Sequence, residues 1–197
     1  MKEKKALQSA IIASSGLIIF VAFFLIKSVP EIPKSVLLLM FVPFVIALFL
    51  KYDLEEIGVG FGHFRDAIPR TILLSVIFIA AMLVGLKLFP EILPYYQNVS
   101  KVPDFWAITF ISIFAWEFFF RGYLLLGLSK TIGFWWANGI QTVLFAIIHI
   151  GKPLPEAYST LISGLLFGWL AYRTKSFFYP FIVHASLNIV LLLILAG

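Results

Sequence analysis

The stretch FWAITFISIFAWEFFFRGYLLL, Phe105–Leu126, decides how this chain must fold. Crossing the hydrocarbon core of a bilayer takes about 20 apolar residues in a helix, and this run supplies that length. No water is present there to satisfy the backbone, so such a run has to be helical. Two ionisable residues interrupt it, Glu117 and Arg121. Each costs about 2.5–3.5 kcal/mol at a helix centre and must be compensated inside the protein. They stand four residues apart with the acid on the N-terminal side, so they share one helix face in the favourable order for a pair.

Working outward, the same ruler finds six more candidates: Ser9–Ile26, Pro33–Leu50, Ile68–Phe89, Phe134–Ile150, Ala157–Tyr172 and Phe177–Leu195. The pattern predicts an all-α polytopic membrane helix bundle of about seven transmembrane helices. It forms a single domain over 1–197 with its polar core at about 105–195. Composition agrees: of 197 residues 61% are hydrophobic and 13% charged, and the mean hydropathy is +1.02. That excludes a soluble domain, a disordered chain and a collagen-like chain. A net charge of +5 from 15 Lys and Arg scattered between apolar runs also excludes a nucleic-acid partner. The lipid bilayer is the expected surrounding. With no Cys, chemistry must come from Glu, Asp, His, Ser or Asn.

Lys2, Lys4 and Lys5 precede the first span, but no small-residue cleavage site follows, so it reads as a retained helix and not a signal peptide. A cytoplasmic N-terminus places those lysines with Lys51, Arg65, Arg70, Lys130, Arg173 and Lys175 inside. Lys27, Lys34, Lys87, Lys101 and Lys152 then lie outside, with the C-terminus external. Tyr52–Asp66 (YDLEEIGVGFGHFRD) suits a short interfacial helix and turn, with Asp53, Glu55 and Glu56 as a charged face and His63 solvated. Trp135 and Trp136 suit the cytoplasmic aromatic belt.

Besides Glu117 and Arg121, polar groups within spans are His149 at the end of the fifth, and His184 and Asn188, again four apart, in the seventh. Taken singly each has an ordinary explanation: a structural ion pair, a hydrated interfacial His, an interhelical amide. Ser163, Ser186 and Gln141 fit that last role too, and GLLFG at Gly164–Gly168 is a small-residue packing face. Together, the economical way to satisfy all five is one shared polar pocket. A carboxylate, two imidazoles, a guanidinium and an amide are ingredients of general acid/base catalysis with oxyanion stabilisation. No cofactor is required; the alternative is zinc held by Glu117, His149 and His184, although no HExxH arrangement accompanies them.

WEFFFR at Trp116–Arg121 followed by Gly122, Phe145-Ala-Ile-Ile-His149, and His184-Ala-Ser-Leu-Asn188 resemble, in order, the three motifs of the CAAX protease and bacteriocin-processing (CPBP, or Abi) family of intramembrane endopeptidases. LEEIGVG at Leu54–Gly60 resembles the prelude many members carry. The resemblance covers Phe105–Ile194. It implies a peptidase of a prokaryotic cell membrane acting on a membrane-associated protein or peptide. By position it makes Glu117 and Arg121 a supporting pair and His149 the water-activating imidazole. His184 with Asn188 would then hold the oxyanion. Trp116 stands where the family has the first, water-activating Glu. Either Glu117 and His149 activate water alone, or the chain has lost catalysis while keeping the scaffold.

In the second case the chain is a catalytically impaired membrane adaptor or bacteriocin-immunity-type protein that binds a peptide or membrane partner. Trp116 would then fill the place of a water. If the scaffold is intact, Glu restored at 116 should raise activity. A transporter or proton relay is disfavoured by a single buried acid and no interrupted-helix pairing. One conflict stands: this threading puts Glu117 and Arg121 toward the cytoplasmic end, favouring access from there, but His149 toward the external end.

Overall fold

The computed structural model describes residues 2–196; Met1, Gly197 and the side chains of Lys2, Lys4 and Lys5, whose charges enter the topology argument, lie outside the described residues. Among the described residues there is no strand. Eight helices follow in order. They are α1 Lys2–Leu25, α2 Glu31–Phe49, α3 Phe64–Leu88, α4 Ile92–Val99, α5 Phe105–Ile132, α6 Phe134–Ile147, α7 Leu154–Thr174 and α8 Phe178–Ala196.

Five of these are long and apolar enough to cross a bilayer: α1 from Ala6, α2, α3, α5 and α8. The protein is an integral membrane helix bundle. The fifth and sixth predicted spans are helical but differ in kind. α6 has 14 residues, about 21 Å at 1.5 Å per residue, short of the ~30 Å core. α7 has 21 residues, but Glu156, Ser159, Thr160, Ser163 and Arg173 dilute its apolar character.

α5 is the central post. In its most apolar window 83% of residues are buried, against 11–33% in the other four spans, so it is wrapped by protein while they face lipid. α1 covers one side of it through Ile12, Ile19, Phe20 and Phe23, and the Ser15 and Tyr123 hydroxyls bond at 2.6 Å. Over Phe118–Leu126 α5 widens into a π-helical stretch with all nine residues buried. Wide turns of this kind are rare and tend to occur at functional sites.

Tyr52–Asp66 contains the expected short helical turn, Leu54–Ile57, closed by a reciprocal cap between Asp53 and Glu56. It docks inward: Ile57 is fully buried. A Cβ on Gly122 would come within 2.5 Å of the Ile57 carbonyl oxygen, so only glycine allows this approach one residue after Arg121. Asp53, Glu55, Glu56 and His63 are exposed, as are Trp135 and Trp136. Glu56 pairs with Lys130.

α7 packs on α6 through the expected small residues. A Cβ on Gly164 would press on Thr142, and one on Gly168 would run into the Asn138 side chain. Gln141 Nε2 donates across this seam to the Gly164 carbonyl at 2.9 Å. Ser163 and Ser186 instead bond carbonyls of their own helices, Thr160 and Val183, so neither acts as interhelical glue. Ala67, Leu74, Phe167, Leu170, Tyr179 and Val183 tie α3, α7 and α8 into a second core.

Candidate active site

Depth is settled by the α5–α6 hairpin. Its turn is Gly133, with φ +81°. Glu117 lies fifteen residues before the end of α5 (positions 117 to 132) and His149 fifteen residues after the start of α6 (134 to 149). Antiparallel neighbours with equal offsets from one turn reach the same depth, about 22 Å from it at the helical rise. The conflict over access disappears because α6 is short and α5 runs on to Ile132, which leaves Glu117 mid-helix.

Glu117 and Arg121 are both fully buried. Glu117 Oε1 accepts from His184 Nδ1 at 2.9 Å, while Oε2 lies 3.2 Å from Arg121 Nε. The latter is an ion pair by distance whose angle falls outside that of a hydrogen bond, for neither atom has a hydrogen-bond partner. The Arg121 guanidinium is caged by ring faces: Phe145 at 4.1 Å, Phe167 at 5.4 Å and Phe120 at 5.7 Å. Charge neutralisation by Glu117 and cation–π contact keep a guanidinium at this depth.

His149, in the turn after α6, is anchored by Nδ1 donating to the Phe145 carbonyl at 2.9 Å, which leaves Nε2 with its lone pair. His184 is anchored in the same sense, Nδ1–H on Glu117, and again Nε2 is free. Asn188 Nδ2 donates to the His184 carbonyl at 3.0 Å, leaving its second N–H and its Oδ1. His149, His184 and Asn188 line one cavity of ≈ 440 Å³, together with residues of α3, α4, α7 and α8 and with Phe145. Thus three predicted residues open on one chamber and the other two stand behind His184. The expected partnership of Glu117 with His149 is not the one formed; the carboxylate bonds the imidazole of α8.

Trp116 does not line this cavity. It faces α1, in an aromatic nest: Phe23 at 4.7 Å, Phe20 at 6.4 Å and Phe119 at 6.0 Å, with Phe120 stacked at 5.2 Å. It therefore does not occupy the place of a water beside His149.

Two cavity residues escape the sequence reading: Tyr96 on α4 and Glu156 in the first turn of α7. Starting the sixth span at Ala157 left Glu156 just outside it, and the short helix that carries Tyr96 was not among the predicted spans; the signal was an acid seven residues after His149. The Tyr96 hydroxyl donates to Glu156, and Lys152 Nζ sits 2.8 Å from the same carboxylate. Burial, then the facing Glu156 charge, pushes the Tyr96 phenol well above the usual tyrosine range, so it stays a donor. The cavity runs from His184 toward this end, opposite the N-terminus, and not toward the cytoplasmic end expected from the threading.

Among the described residues no three His, Asp or Glu side chains gather closely enough to hold a metal ion. A carboxylate bonded to a ring N–H, as Glu117 is, stands behind the imidazole and not beside it as a fellow ligand.

No curated protein and no solved structure matches this chain. Residues 98–190 match the family described as type II CAAX prenyl endopeptidase Rce1-like, a family of peptide hydrolases within the CPBP group. That segment carries Glu117, Arg121, His149, His184 and Asn188, and over it the chain is similar to the Rce1-like family.

Proposed function

We propose that this protein is an intramembrane endopeptidase that hydrolyses a peptide bond of a membrane-associated protein or peptide. The observation that carries the reading is a single ≈ 440 Å³ cavity onto which two imidazoles and an amide open, with a buried carboxylate behind one imidazole.

His149 Nε2 takes a proton from a water as the oxygen attacks the scissile carbonyl carbon. The developing oxyanion accepts from Asn188 Nδ2–H, on the wall of the cavity where His184 is held through Nδ1 by the Glu117 carboxylate. Collapse breaks the C–N bond, and the proton held by His149 passes to the leaving nitrogen. Arg121 pairs with Glu117 and aligns it without touching the reacting atoms. No cofactor enters these steps. The adaptor reading starts from the missing first Glu and would have Trp116 fill the water's place; the Trp116 ring lies among Phe20, Phe23 and Phe120 instead.

The test incubates purified protein in liposomes with a library of membrane-anchored peptides. Cleavage is expected, and His149→Ala should lower its rate by about 10²–10⁴-fold, the usual worth of a general base. Cleavage insensitive to that substitution would refute the assignment, and no cleavage of any peptide would favour the adaptor. We further place the protein in a prokaryotic cell membrane with its N-terminus in the cytoplasm, which makes the α4 end external. A cysteine introduced at Ser100 should then react with an impermeant maleimide in intact cells; reaction only in inverted vesicles would reverse the orientation.

A further inference from the structure

α4 is lightly anchored: its residues, Tyr96 among them, are at most half-buried. Prolines mark the turns on either side of it, Pro90 and Pro103. Its inward face, Ile92 and Tyr96 one helical turn apart, lies with Phe89 over the cavity that holds His149 and His184. Among the described residues its one side-chain hydrogen-bonded link to another helix is the Tyr96 hydroxyl on Glu156, 2.7 Å from either carboxylate oxygen. A hydroxyl has one proton, so one oxygen at a time receives it. Glu156 also holds Lys152 at 2.8 Å. Parting from Tyr96 therefore strands no charge: the carboxylate keeps its cation and the phenol meets water.

We propose that α4 is a hinged cover on the cavity, latched by Tyr96 to Glu156, whose release admits a polypeptide from the aqueous face to His149 and His184. Its role in admitting a chain to be cut rests on the peptidase reading above; the gating does not. A cover held by one charge-assisted hydrogen bond plus a thin apolar face opens and closes readily. Loss of that bond should shift the balance toward open by about ten-fold.

The chain has no Cys, so a single Ser163→Cys on the cavity wall reports access without background. In liposomes its labelling by a water-soluble maleimide should accelerate by about three- to ten-fold when Tyr96→Phe or Glu156→Gln is added. Backbone hydrogen exchange should rise over 92–99 and stay unchanged in α5. Unchanged labelling in both variants would overturn the latch. Faster labelling with exchange rising across the whole bundle would overturn it too, since that reports a loosened fold. If the unsubstituted protein cleaves no peptide, the peptidase reading fails while the labelling result still decides the gate.

Discussion

His184 Nδ1 is held by Glu117 Oε1 at 2.9 Å, so the one fully buried acid among the described residues serves the imidazole of α8 and not that of His149. Both imidazoles are thereby fixed at Nδ1, by carboxylate and by carbonyl, and both offer Nε2. The difference in partner separates their settings: His184 is tied across the bundle to a buried carboxylate of α5, whereas His149 is oriented by a carbonyl one turn back in its own segment.

Removing one member of the Glu117–Arg121 pair should separate stability from catalysis. Arg121→Met leaves a buried carboxylate without its cation and should cost about 3–5 kcal/mol. Adding Glu117→Leu removes the stranded charge and should restore most of that stability. The double variant should still cleave at least about 10²-fold more slowly, because His184 has lost its anchor. Thermal unfolding in detergent and peptide cleavage give the two readouts, and a double variant as unstable as the single one would contradict the pairing.

Trp116→Glu should lower stability instead of restoring an acid to the site. The ring is 8% exposed and touches Phe20, Phe23 and Phe120. Loss of a large buried aromatic costs about 3–5 kcal/mol before the charge is counted. The gain in activity expected from sequence is therefore not expected from the packing. A well-folded Trp116→Glu protein with raised turnover would show that α5 can rotate, and would contradict this account.

Gly168→Ala should loosen the α6–α7 seam, since the new methyl would collide with the Asn138 side chain and crowd Gln141 Nε2. Overpacking of this kind costs about 1–3 kcal/mol. Gly139→Ala is the matched control: nothing lies within 4 Å of its Cβ, and alanine is the better helix former by up to about 1 kcal/mol. Equal melting temperatures for the two would argue against close packing at Gly168.

Strong chelators should leave peptide cleavage unchanged, because the proposed steps use only protein groups and water. Inhibition reversed by added zinc would revive the ligand set Glu117, His149 and His184. The Glu117–His184 bond at 2.9 Å would then have to open to free the carboxylate.

The sequence by itself determined that the chain is a helical membrane bundle and singled out five polar residues within its spans. Hydrocarbon permits few ionisable groups, and their spacing exposes shared faces. It could not reveal that Glu117 chooses His184 over His149, because that choice depends on how α8 lies against a π-widened α5. Nor did apolar content reveal that α6 stops after 14 residues and brings His149 level with Glu117. Trp116 is the clearest case: a motif position says which residue is present, but the side of the helix it faces was decided only when α1 supplied Phe20 and Phe23 to receive it.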